Sequence, residues 1–240
     1  LGSGVNGSVV GGSTGEGHTL SSTEFTEAMI EAHDANAGRV QFVVGLIVQS
    51  TREAIDRVKA LGDIKIDALQ VTPVHYLFKP GREATIEHFR AIWEETQVPI
   101  LIYNVIPWNY LSIDDMLAIM EAVPGVVGMK QSSGDVKSVS DLMLRAKPEN
   151  LVLTGIDALL YPSFALGAHG AISALTCAVP GVSFTNRRAI RPASGSRAPG
   201  GSPPRCAHTG PWALPAVGTA SSHRRVRRPS PRPARGRARW

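Results

Sequence analysis

Hydrophobic positions over the first 180 residues fall into two alternating patterns. Short apolar runs occupy residues 5–10, 40–48, 68–72, 98–103, 126–129, 151–154 and 171–174, each bounded by Gly, Pro or polar residues. Parallel strands covered on both faces have this length and this punctuation. Between most of them lie segments with apolar residues three and four apart. Ser21-Ser22-Thr23-Glu24 has the form of a capping box, in which a hydroxyl and a carboxylate satisfy the first free amides of a helix, and Phe25, Met29 and Ala32 follow on one helical face. Residues 54–60, 83–96, 113–122 and 136–146 repeat the helical pattern.

Strand and helix therefore alternate with a period of about 30 residues, as in βα units on a parallel sheet. Open doubly wound sheets often carry a Gly-rich nucleotide loop after the first strand. Gly11-Gly12-Ser13-Thr14-Gly15-Glu16 fits neither that fingerprint nor a P-loop. Seven regular units point instead to a (β/α)8 barrel, an α/β fold, lacking one strand, the first. Such barrels take about 250 residues, so a patterned region of 1–180 is expected to be an incomplete barrel.

Charge divides the chain at the same place. Residues 1–180 hold 12 Lys and Arg against 20 Asp and Glu; residues 181–240 hold 13 Arg, no Lys and no acid. Periodicity ends at Gly181, and Pro, Gly, Ser, Ala and Arg fill the rest. The tail reads as disordered, as an arginine-rich nucleic-acid arm, or as an out-of-frame translation of a GC-rich gene, since arginine without lysine follows codon composition rather than phosphate binding. Two cysteines, Cys177 and Cys206, make neither a disulfide framework nor a metal-ligand spacing. No basic segment followed by an apolar one opens the chain, and the first part is expected to be cytoplasmic. Residues 158–185 carry no charge, but Pro162, Gly167, Gly170, Pro180 and Gly181 interrupt them, so a buried helix and a buried strand are expected rather than a membrane span.

Candidate chemistry sits at strand ends, which face the active site in parallel barrels. In Gly128-Met129-Lys130-Gln131-Ser132-Ser133-Gly134-Asp135 a lysine closes an apolar run. Alternation puts Val126, Gly128 and Lys130 on one face, with Gly128 leaving room for a ligand. An amine surrounded by barrel wall loses hydration, its pKa falls, and the neutral form attacks carbonyls to give a Schiff base; a lysine at a strand end also serves simply as a snorkelling or salt-bridged residue. Tyr103 is a core tyrosine or a proton shuttle. The loop of Ser13, Thr14 and Gly15 is a plain turn or a cradle of amides and hydroxyls for a carboxylate. Asp157 suits the N-cap of the helix that follows it.

Taken in order, "GGSTGE", "YN-x-x-P", "GMKQSSGD", "GID" and "GAIS" closely resemble the dihydrodipicolinate synthase / N-acetylneuraminate lyase family of class I aldolases, from about Gly4 to Pro180. The resemblance implies a homotetrameric barrel enzyme, a lyase that joins pyruvate to an aldehyde or releases it from a 2-keto acid, with no cofactor beyond a lysine Schiff base and no metal. It implies Lys130 as the Schiff-base lysine, Tyr103 as general acid/base, Ser13, Thr14 and Gly15 around the pyruvate carboxylate, with Thr14 assisting Tyr103, and Ile172 as the residue whose carbonyl lies near the lysine. Against the family's pattern the first strand and the C-terminal helices are expected to be missing, and two departures stand out among the site residues. Tyr103 precedes Pro107 by four residues rather than three, and Trp108 and Asn109 follow that proline where the synthases carry an arginine for the second substrate's carboxylate. Tyr76, in "TPVHYLFKP", is the counterpart of a tyrosine lent to a neighbouring subunit. Against this enzyme stand two other readings, a non-catalytic fragment and nucleic-acid binding through the tail.

Overall fold

In the computed structural model the described residues are 5–178. Seven parallel strands form one sheet in sequential order: β1 (Gly7–Val10), β2 (Gln41–Leu46), β3 (Ala68–Val71), β4 (Ile100–Asn104), β5 (Val126–Gln131), β6 (Leu151–Thr154) and β7 (Gly170–Ala171). Helices α1 (Ser22–Asn36), α2 (Thr51–Ala60), α3 (Arg82–Thr96), α4 (Ile113–Ala122), α5 (Val136–Arg145), α6 (Leu160–Ala165) and α7 (Leu175–Ala178) alternate with them. The sheet is a curled half-barrel with helices, a partial (β/α)8 barrel. Each strand pairs with its neighbours in sequence, as in a barrel built of successive βα units. The tail from 181 onward lies outside the described residues.

Local sequence accounts for where the helices start. Ser21 caps α1: its hydroxyl accepts from the Glu24 amide while the Glu24 carboxylate accepts from the Ser21 amide at 2.9 Å. At α2, α4 and α5 the cap is one-sided: the Ser50 and Ser112 hydroxyls accept from the Glu53 and Asp115 amides, and Asp135 accepts from both the Lys137 and Ser138 amides. Each such cap stabilises its helix by about 1 kcal/mol.

Alternation along the strands separates two apolar layers. Val44, Leu46, Leu69, Val71, Ile100, Ile102 and Met129 face the helices, where they pack on Phe25, Met29, Phe89, Ile92, Met116 and Ile119. Each fully covered Phe or Met side chain contributes about 2–3 kcal/mol of burial free energy. The inner face carries a smaller cluster, Leu101, Val127 and Leu153, with Leu151 and Ile172 against it.

One strand breaks the simple alternation. Ile100 pairs with Val126 but Leu101 pairs with Gly128, so Val127 is an extra residue, a β-bulge. Val126 turns outward to the helices and Val127 inward. Val126 therefore does not share the face of Lys130, contrary to strict alternation.

Two further expectations shift. Of the apolar run 171–174 only Ala171 lies in a strand, the two-residue β7. The uncharged stretch gives a six-residue α6 that buries Leu160 and Ser163 while Tyr161 and Leu166 are exposed. Among the described residues no helix is long and apolar enough to cross a membrane.

Candidate active site

Tyr103 and Lys130 lie side by side on adjacent parallel strands, paired in register and one residue before the ends of β4 and β5. In-register residues of parallel strands point the same way, and both side chains are buried. The Lys130 ammonium sits 4.3 Å from the centroid of the Tyr103 ring. Burial pushes the Lys130 amine down to about 8, and the Asp157 carboxylate partly opposes the fall. About half of such amines are neutral at pH 8, a fraction that an ordinary lysine reaches only above pH 10. Burial raises the Tyr103 phenol, while the Ser13 hydroxyl and amide pull it back. Tyr103 is thus held protonated at neutral pH, with its oxygen 2.9 Å from the Ser13 hydroxyl.

Ser13 belongs to the loop after β1. The Gly15, Glu16 and Gly17 amides donate to the Gly12, Ser13 and Gly12 carbonyls, so the loop is folded on itself. Gly15 therefore turns the chain with its own amide engaged, and the side chains of Ser13 and Thr14 stand exposed on the outside of the turn. Glycines seat this turn. A β-carbon on Gly17 would fall 2.1 Å from the Gly11 carbonyl oxygen, and one on Gly45 of β2 would fall 2.8 Å from the same oxygen.

The room beside the lysine comes from a different glycine than the sequence suggested. A β-carbon on Gly128 would strike Leu151 at 2.3–2.8 Å, so Gly128 serves the close approach of β5 to β6. Gly155 is the one that leaves space. A β-carbon there would lie 2.5 Å from Cε of Lys130 and 2.3 Å from the Ser132 hydroxyl.

Asp157 also departs from expectation. The short 3-10 turn it opens has no side-chain cap. Its carboxylate reaches instead to the segment after β7, accepting from the Ser173 hydroxyl and, at 3.3 Å, from the Leu175 amide that opens α7. "GID" and "GAIS" are thereby tied together beside Lys130. Ile172 packs on the inner cluster, and its amide donates to the Thr154 carbonyl at 3.0 Å.

Next to the chemical pair is a structural one, which the sequence reading did not single out. Asn104 and Gln131 follow Tyr103 and Lys130 and are themselves in register. The Asn104 amide donates to the Gln131 side chain and to the Leu111 carbonyl, both at 3.2 Å, and its oxygen accepts from the Leu111 amide at 2.9 Å. This fixes the turn after β4. In that turn Asn109 is buried and donates to the Val74 carbonyl at 2.6 Å, while Trp108 is exposed and donates to the His75 carbonyl at 2.9 Å. Tyr76, Leu77 and Phe78 stand exposed on the adjoining loop.

The described residues thus form a partial parallel barrel in which a buried lysine and tyrosine lie side by side near the ends of adjacent strands, with a serine of the β1 loop bonded to the tyrosine. Residues 1–188 match the Dihydrodipicolinate synthetase family, and the chain belongs to that family. The 4-hydroxy-tetrahydrodipicolinate synthase of Persephonella marina is 33% identical over 180 residues, 74% of this chain and 61% of that protein. Its namesake in Cytophaga hutchinsonii is 36% identical over 182 residues, with 75% and 61% covered. The crystal structure of the chloride-inhibited dihydrodipicolinate synthase from Acinetobacter baumannii complexed with pyruvate aligns with a TM-score of 0.71 at 30% identity, covering 79% of this chain and 68% of that one. The chain spans about three fifths of the length of these curated relatives.

Proposed function

We propose that this chain carries a Schiff-base site for a 2-keto acid, pyruvate above all, with Lys130 as nucleophile. The neutral amine adds to the keto carbon. The resulting alcohol leaves as water, taking a proton relayed through Tyr103, and an iminium remains. Loss of a proton from the adjacent carbon gives an enamine, which attacks an aldehyde; in reverse, a longer 2-keto acid is cleaved to release pyruvate. Ser13 steers the Tyr103 hydroxyl, and Ser13 and Thr14 hold the carboxylate. The supporting observation is the Lys130 amine: lowered to about 8 by burial, it lies against the ring of a tyrosine that bonds Ser13. Such a lysine is prepared for carbonyl addition. The pyruvate-complexed relative supports the choice of ligand.

The turn after β4 offers no arginine to a second reactant's carboxylate: Trp108 and Asn109 follow Pro107, and the Asn109 amide is engaged with the Val74 carbonyl. The exposed Tyr76, Leu77, Phe78 and Trp108 suit a second copy of the chain, consistent with a homo-oligomer.

Borohydride trapping in the presence of pyruvate, followed by peptide mass mapping, tests the site. A reduced adduct on Lys130, absent from Lys130→Arg because a guanidinium stays charged, is the expected result. A folded sample without the adduct, or with it on another lysine, refutes the assignment.

A further inference from the structure

The loop that carries Ser13 and Thr14 has no ladder partner of its own between β1 and α1, yet it must hold Ser13 within hydrogen-bond reach of Tyr103. One side chain from outside the loop grips its far end. Arg57, on α2, donates from one terminal nitrogen to the Gly17 carbonyl at 3.2 Å and from the other to the Leu20 carbonyl at 3.5 Å. Its guanidinium lies over the Phe25 ring, 4.8 Å from the centroid, and pairs with Glu53 at 3.1 Å one turn earlier on the same helix. Only 11% of the side chain is exposed.

The base of this clamp is itself fixed. The other Glu53 oxygen accepts from the Gln49 amide at 3.0 Å, and the Glu53 amide donates to the Ser50 hydroxyl that caps α2. The guanidinium thus arrives with its orientation set from three sides: carboxylate, aromatic face and the two loop carbonyls. A planar fork suits two carbonyls three residues apart in a way a single ammonium does not. The Arg57 Nε is buried without a partner, a cost that a purely local ion pair on an exposed helix face would avoid.

We propose that Arg57 is a positioning residue of the keto-acid site. It acts through the Gly11–Gly17 turn, keeping Ser13 and Thr14 placed for the ligand's carboxylate end, and so sets the affinity for the ligand while the seat of Lys130 on β5 is untouched. This rests on the Schiff-base reading above for its ligand, and on the clamp geometry alone for its mechanical part.

Two measurements on the full chain separate the parts. The first is the pyruvate concentration for half-maximal borohydride trapping in the unmodified chain, Arg57→Met, Ser13→Ala and the double variant. Arg57→Met is expected to raise that concentration about tenfold, as a displaced contact group does, with the saturating yield of Lys130 adduct unchanged. Combined with Ser13→Ala it is expected to add little, because both changes break one linkage; general damage would instead multiply the two effects. Arg57→Lys is expected to recover only part of the loss. An unchanged half-saturating concentration in Arg57→Met, or multiplicative effects in the double variant, overturns the proposal. The second is hydrogen exchange. The amides of residues 15–19 are expected to exchange about tenfold faster in Arg57→Met while those of β5 keep their rates. Absence of any Lys130 adduct in the unmodified chain refutes the Schiff-base reading and, with it, the ligand role of Arg57. Unchanged loop exchange refutes the clamp whatever the trapping shows.

Discussion

His88 makes stability depend on pH in a window set by its own burial. The ring is 3% exposed on α3, between the sheet and α2. Its Nε2 donates to the Thr72 carbonyl at 3.1 Å, and its Nδ1 accepts from the Thr51 hydroxyl at 3.0 Å. Both contacts are made by the neutral ring. Burial lowers the pKa from 6.5 to about 4, with the bond to Thr72 acting weakly the other way. The folded pKa lies below the unfolded one, so the unfolded chain takes up its proton first as pH falls. The stabilisation is complete above about pH 6.5, declines as pH drops toward 4, and changes no further below that. At about 1.4 kcal/mol per pH unit, the loss across the window is about 3 kcal/mol. Urea denaturation of the unmodified chain and of His88→Gln at pH 7, 6, 5 and 4 isolates it, because the carboxylates titrate alike in both. The stability difference between the two proteins is expected to move against the unmodified chain by about 3 kcal/mol from pH 7 to pH 4. A difference that stays constant with pH, or moves the other way, refutes the reasoning.

Three other outcomes follow from the same geometry. Gly155→Ala places a methyl 2.5 Å from Cε of Lys130, so the amine must leave its seat over Tyr103. Pyruvate trapping is expected to fall by about a hundredfold with circular dichroism unchanged. Asp157→Asn removes the charge that holds the Lys130 pKa up, so the midpoint for modification of Lys130 by an amine reagent is expected below pH 8. An unchanged midpoint, or one that moves up, refutes the influence of the Asp157 charge on Lys130. Asn104→Leu removes the partner of the Leu111 amide and of the Leu111 carbonyl in the interior, while the Gln131 side-chain oxygen keeps only the Ser133 amide. A loss of about 2–4 kcal/mol in urea denaturation is expected, the cost of buried groups without partners.

The βα order, the capping of α1 and the strand-end positions of Lys130 and Tyr103 are all legible in the sequence. Each depends on residues close in the chain or on a period of two or about 3.6. Ser21 and Glu24 satisfy each other within one turn, and the apolar runs in 68–72 and 151–154 are strands wherever they are placed.

What sequence alone left open was every contact across the sheet. The bulge at Val127 arises from pairing with β4, so it is invisible in β5 itself. "GMKQ" suggested Gly128 as the space beside the lysine; the neighbouring strand fills that space, and Gly155, just past the end of β6, supplies it. Asp157 looks like a cap for its own turn until β7 brings Ser173 to it. Nothing in the helical pattern of 54–60 marks Arg57; only the folded β1 loop brings the Gly17 and Leu20 carbonyls to it. Local pattern fixes which residues share a face of one element, because backbone geometry has only a few periods. Which faces meet is decided when the sheet curls and brings strands from distant parts of the chain within hydrogen-bond distance. The lowered lysine and the seat of its loop exist only there.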